Sequence, residues 1–262
     1  MNVLIAAVAL GGLGLAFGII LSVAFNRLAV EIDPREAEIL ELLPGANCGA
    51  CGFPGCQGLA EALAKGKAEA NACVAGGPET VKKIARILGV EIEPKAELVA
   101  FVACRAGAKQ AVKKYKYSGI ENCQAAALLY TGDKACVYGC LGLGSCAKVC
   151  PFDAISITPE GLASIDPKKC RSCQKCVKAC PRGLISMVPR SQKVLVVCRN
   201  LDRGKRAKEV CAIACIACRI CEKACPVQAI TMVNNLAVID YAKCNQCGIC
   251  AEKCPQKAIH KL

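Results

Sequence analysis

Residues Val3 to Phe25 form an unbroken apolar run, VLIAAVALGGLGLAFGIILSVAF, with no charge before Arg27. A helix rising ~1.5 Å per residue carries that run about 34 Å, which predicts a transmembrane anchor over residues 1–28. A cleaved signal peptide is the rival reading. The length of the run, the start at Met1-Asn2 and the poor Phe25-Asn26 junction disfavour it. Behind the anchor, Asp33 as N-cap with Pro34 at the first helical position predicts a helix to Leu43. A helix is also predicted from Gln57 to Ala70. A third runs from Pro78 to Leu88, with Val81, Ile84, Ala85 and Leu88 on one face and Gly89 as terminator.

Farther along, the helical period gives way to short alternating segments. AISI (154–157) and LASID (162–166) flank Pro159-Glu160-Gly161, and AITMV (229–233) and LAVID (236–240) flank Asn234-Asn235. Each pair predicts a hairpin. The second pair follows the first by about 75 residues, with the surrounding cysteines in step, so the region is an internal duplication. Each copy is preceded by an apolar strand ending in Cys-Arg, ELVAFVACR and KVLVVCR.

Cysteine usage decides the chemistry: 24 of 262 residues, with no Trp and only 4 % aromatics. Such a chain builds small modules around thiol-held groups rather than one large apolar core. Three runs have the spacing of bacterial ferredoxins, including the final proline: Cys170-Cys173-Cys176-Cys180, Cys215-Cys218-Cys221-Cys225 and Cys244-Cys247-Cys250-Cys254. Another run, Cys136-Cys140-Cys146-Cys150, has wider spacers, which Gly139, Gly142 and Gly144 permit. In this pattern the fourth cysteine of a run serves the neighbouring cluster. The expected [4Fe–4S] sets are therefore Cys136, Cys140, Cys146 and Cys180; Cys170, Cys173, Cys176 and Cys150; Cys215, Cys218, Cys221 and Cys254; and Cys244, Cys247, Cys250 and Cys225. Cys48, Cys51, Cys56 and Cys73, in a glycine-rich stretch, make a fifth set; zinc is the competing occupant there. Cys104, Cys123, Cys198 and Cys211 are left over. They either meet across a pseudo-twofold axis and bind a sixth cluster, or pack as buried reduced thiols.

The formal net charge of +13 suggests an acidic partner at first sight. An oxidised cubane with four thiolates carries about −2, so five of them offset most of that charge. A nucleic-acid footprint is thus not expected, and a zinc-binding adaptor falls with it. Lys82-Lys83-Arg86, Lys113-Lys114-Lys116 and Arg203-Lys205-Arg206-Lys208 remain, either as docking spots for an acidic carrier or as solvated faces. His260 reads as a surface residue. Cluster assembly requires a reducing compartment, which puts the cysteine domains on the cytoplasmic side of a single-pass cytoplasmic-membrane protein. No phosphate-cradling loop, nucleophile–base pair or dinucleotide fingerprint is evident, so no independent catalytic pocket is expected.

The fold class expected is α+β: a transmembrane helix (1–28), a small helical four-Cys domain (29–92), and two duplicated two-cluster ferredoxin modules (93–190 and 191–262). An apolar N-terminal run, then NCGACGFPGCQGLAEAL with a distant Cys73, then KACVYGCLGLGSCAKVCPFDAI and the paired runs, resembles the RnfB family of the Rnf electron-transport complex over essentially the whole chain. The resemblance implies ligand roles for Cys48, Cys51, Cys56, Cys73 and the sixteen run cysteines. It also implies partner subunits in a membrane complex and reduced ferredoxin as electron donor. The family couples electron flow to a quinone-like, cytochrome or NAD acceptor with sodium or proton translocation, and its NAD and flavin sites lie on other subunits. The alternative is a ferredoxin-like carrier subunit of another membrane hydrogenase or dehydrogenase.

Overall fold

A computed structural model describes residues 2–28, 33–92 and 96–261. The apolar run forms α1 (Asn2–Leu28), with Leu10, Leu15, Phe17 and Leu21 all more than half exposed. The expected transmembrane anchor needs correction: among the described residues no helix is long and apolar enough to cross a membrane.

Three helices make the small domain: α2 (Pro34–Leu42), α3 (Gly55–Ala64) and α4 (Gly77–Leu88). Asp33 caps α2 by accepting from the Arg35 N–H at 2.9 Å, and Gly89 closes α4 in the left-handed region with φ 66°. Ile39, Leu59, Leu63 and Ile84 interlock at 0–1 % exposure. The helix expected to reach Ala70 stops at Ala64. Gly66 takes φ 67°, and the Lys67 N–H donates back to the Ala62 carbonyl at 2.7 Å, a C-terminal closure that turns the chain toward Cys73.

The rest is two similar modules. The first holds β1 (Leu98–Val102), α5 (Cys123–Leu128), α6 (Ser145–Lys148), β2 (Ile155–Ile157), β3 (Ala163–Ile165), α7 (Lys175–Ala179) and β4 (Ile185–Pro189). The second holds β5 (Val194–Val196), α8 (Gly204–Val210), α9 (Ile220–Lys223), β6 (Ile230–Val233), β7 (Leu236–Ile239), α10 (Ile249–Glu252) and β8 (Ile259–Lys261). Both expected hairpins form: β2–β3 with Ile155 opposite Ile165, and β6–β7 with Ile230 opposite Ile239. Asn234 and Asn235 turn the second with φ 47° and 65°, the signature of a two-residue primed turn. The strands ending in Cys-Arg pair at long range, β1 with β4 and β5 with β8. The modules meet through Ala106, Ala111 and Cys136 of the first packed on Ala207, Val210, Cys211 and Ala214 of the second.

Candidate metal centres

The three regular cysteine runs wind alike. Ser172 and Gln174 have φ 58° and 60°, Ala217 and Arg219 have 57° and 60°, and Gln246 and Gly248 have 61° and 89°. These left-handed residues flank the middle cysteine of each run. Successive N–H groups then turn toward one concave side, the backbone nest that receives an anion. The third cysteine rides a single helical turn: Cys176 on α7, Cys221 on α9 and Cys250 on α10. After the fourth cysteine and its proline the chain turns back, and peptide N–H groups of Ala229 and Ala258 donate to Cys225 Sγ and Cys254 Sγ, each at 3.3 Å. In the wider run Gly142 and Gly144 supply the left-handed positions (φ 73° and 74°), and Cys146 rides α6.

Cavities between these loops gather cysteines in fours. Cys150, Cys170, Cys173 and Cys176 line one. Cys215, Cys218, Cys221 and Cys254 line another, and Cys225, Cys244, Cys247 and Cys250 a third. All three sets are those expected from spacing. The remaining two differ. Cys140, Cys146 and Cys180 face Cys123 rather than Cys136, and Cys136 lines a cavity with Cys104, Cys198 and Cys211.

Local packing accounts for the exchange. Asn122 caps α5 through its Oδ1, and the Cys123 N–H donates to Ser145 Oγ at 2.8 Å, tying α5 to the helix that carries Cys146. Cys136 follows the bridge between Lys113 and Lys134, next to the bridge between Ala111 and Cys211, which draws it to the module junction. The irregular spacing of its run was the only hint of this in the sequence.

In the helical domain Cys51, Cys56 and Cys73 pack on the apolar core, and the Cys56 N–H donates to Asn47 Oδ1 at 2.8 Å. Burial raises the Cys73 thiol pKa, and nearby Cys56 and Cys51 add to the rise. Burial also raises Cys173, with Cys48 of the helical domain close enough to contribute. Burial pushes the Cys146, Cys198 and Cys221 thiols up to about 12 and the Cys176 thiol to about 11.

None of the 24 cysteines forms a disulfide. Among the described residues no three His, Cys, Asp or Glu converge closely enough to hold one metal ion. A cubane spreads its four ligands over separate iron corners and requires a wider set. At the junction cavity two polar groups have unusual surroundings. Lys134 is 4 % exposed, with its Nζ donating to the Ala106 carbonyl at 3.3 Å. Asn200 is 1 % exposed, and its Nδ2 has no hydrogen-bond partner.

The basic spots each hold an acid of their own. Lys82 pairs with Glu79 at 3.6 Å, Lys113 with Asp133 at 3.0 Å, and Lys205 and Arg206 with Glu209 at 4.0 and 3.9 Å. That arrangement suits solvated faces. His260 lies in β8 opposite Leu195.

Comparisons with known proteins agree with this division. A family model described as "Putative Fe-S cluster" matches residues 43–75, and two described as "4Fe-4S dicluster domain" match 135–184 and 214–259. The B-type subunit of the Na(+)-translocating ferredoxin:NAD(+) oxidoreductase complex of Acetobacterium woodii is 46 % identical over 90 % of this chain and 71 % of its own. The B-type subunit of the ion-translocating oxidoreductase complex of Methanosarcina acetivorans is 43 % identical over 98 % of both chains. The corresponding subunit of the proton-translocating ferredoxin:NAD(+) oxidoreductase complex of Clostridium ljungdahlii is 41 % identical over 88 % of this chain and 82 % of its own. With 4Fe-4S domains built on these cysteine loops and identity sustained along the chain, the protein belongs to the RnfB family, the electron-transfer subunits of ion-translocating (Rnf) oxidoreductase complexes.

Proposed function

We propose that this chain holds six [4Fe–4S] clusters and relays electrons from reduced ferredoxin to partner subunits of an ion-translocating complex. The ligand sets are Cys48, Cys51, Cys56 and Cys73; Cys150, Cys170, Cys173 and Cys176; Cys123, Cys140, Cys146 and Cys180; Cys104, Cys136, Cys198 and Cys211; Cys215, Cys218, Cys221 and Cys254; and Cys225, Cys244, Cys247 and Cys250. The observation that carries the reading is the gathering of twenty cysteines into five four-cysteine cavities. Each bound group supplies reversible one-electron transfer, and the chain supplies everything else. Left-handed loop residues turn N–H donors toward the concave side of each loop, and the buried third cysteine of each run, Cys146, Cys176, Cys221 or Cys250, keeps that side of the site from water.

The junction set fits an anionic group on its own evidence. A buried ammonium and an unfilled amide donor both reach that cavity, and each is costly to bury without a negative or accepting partner. This favours a cluster over buried thiols packing as small hydrophobes. Neighbouring sets touch at two points, where the Cys140 N–H donates to Cys104 Sγ and the Cys215 N–H to Cys198 Sγ. Ion translocation requires a membrane and cluster thiolates a reducing compartment, so the cysteine domains work on the cytoplasmic face of that complex. The ferredoxin named in two relatives supports ferredoxin as the donor.

The test is an anaerobic preparation assayed for iron and acid-labile sulfide, then mixed with reduced ferredoxin. About 24 irons per chain and bleaching on mixing are expected. Folded protein without acid-labile sulfide overturns the reading.

A further inference from the structure

The junction cavity differs from the other four in the charge its walls supply. Lys134 is buried, forms no ion pair among the described residues, and makes one hydrogen bond, to the Ala106 carbonyl. Its chain neighbour Asp133 is turned to Lys113. Asn200 spends its Oδ1 on the Asp202 N–H at 2.7 Å, leaving Nδ2 free. Cys104 Sγ and Cys198 Sγ already accept from peptide N–H groups of Cys140, Cys215 and Asn200. Elsewhere the charged groups are exposed or partnered, and Gln256, in the Cys215 cavity, buries an unpartnered acceptor, Oε1, rather than a donor. Arg171, Gln174 and Asn245 face solvent, Arg219 is 65 % exposed, and Arg182, half-buried, donates to the Thr131 carbonyl.

One-electron reduction adds one negative charge to a cluster that is already anionic. A fixed ammonium and an extra amide donor stabilise that more negative state more than the oxidised one, which raises the potential. We infer that Lys134 and Asn200 are potential-setting residues that hold the cluster at Cys104, Cys136, Cys198 and Cys211 above the four ferredoxin-type sites in reduction potential. An electron arriving from the Cys140 side then rests at the junction of the modules before leaving past Cys215. This inference rests on the six-cluster reading.

The test is redox titration of the cluster-loaded full chain, followed by electron paramagnetic resonance and voltammetry. In Lys134→Met and Asn200→Leu, the highest-potential wave is expected to move down while the others stay, at unchanged iron content. Asn200→Asp keeps the acceptor for Asp202 and replaces the donor with a carboxylate, so its shift is larger. Lys134→Arg restores the wave. Waves that stay in place, or all move together, in iron-replete variants overturn the inference. Should the Met and Leu variants not fold, Asn200→Asp and Lys134→Arg decide it by the same reading. The iron count of Cys198→Ala separates the two readings. A loss of about four irons upholds the six-cluster reading, so unmoved waves then sink the tuning role alone; an unchanged count sinks both.

Discussion

The peptide N–H of Cys215 donates to Cys198 Sγ at 3.3 Å. In the first module the Cys140 N–H makes the matching bond to Cys104 Sγ at 3.5 Å. Cys104 and Cys198 both end a strand in Cys-Arg, so the duplication preserves the contact as well as the sequence. In each case the first or second cysteine of a run is hydrogen-bonded to a thiol of the junction cavity. Each bond lies within its own module, so both modules reach that cavity through the same contact.

This pairing separates two ligand partitions. If Cys136 and Cys198 serve one site, Cys136→Ala, Cys198→Ala and the double variant each lose about four irons. If Cys136 belongs with Cys140, Cys146 and Cys180, the double variant loses about twice as many, because separate sites add. Iron analysis of the three proteins checks this, and the single step is expected.

Gly142 is the tightest point of the wider loop. At φ 73° an added Cβ would overlap the Gly161 carbonyl, whereas at Gly144 the nearest atom, in Ile157, is an ordinary 3.6 Å away. Gly142→Ala should cost about 1–3 kcal/mol and exceed Gly144→Ala, measured by denaturant unfolding of the loaded protein.

Leu63 is 1 % exposed between Ile39, Leu59 and Ile84. Leu63→Ala should destabilise the helical domain by about 2–5 kcal/mol. Hydrogen exchange should speed up over residues 33–92 and stay unchanged in the two modules.

Thiol reactivity in the cluster-free chain should order by burial. Thiolate is the reactive form. Burial pushes the Cys146, Cys198 and Cys221 thiols up to about 12, so they stay neutral and unreactive at pH 8. Exposed Cys218 and Cys247 should alkylate first, by mass spectrometry. The sign for stability follows: folded-state pKa values raised above the ordinary thiol range contribute stability that is complete below that range. It is lost as pH climbs toward 12.

Cysteine spacing made the cysteine loops and the two modules legible in the sequence, and the resemblance along the whole chain pointed to the family, because a loop of three cysteines is a local object whose turns are set by a few neighbouring residues. The hairpins were legible for the same reason: their strands and turns are contiguous, and Asn234-Asn235 states its own turn. Only tertiary structure decided the exchange of Cys123 and Cys136 between cavities, the pairing of β1 with β4 and β5 with β8, and the burial of Lys134 and Asn200 at the junction. Each depends on segments far apart in the chain packing together, and no spacing rule encodes which face of a distant loop a side chain will meet.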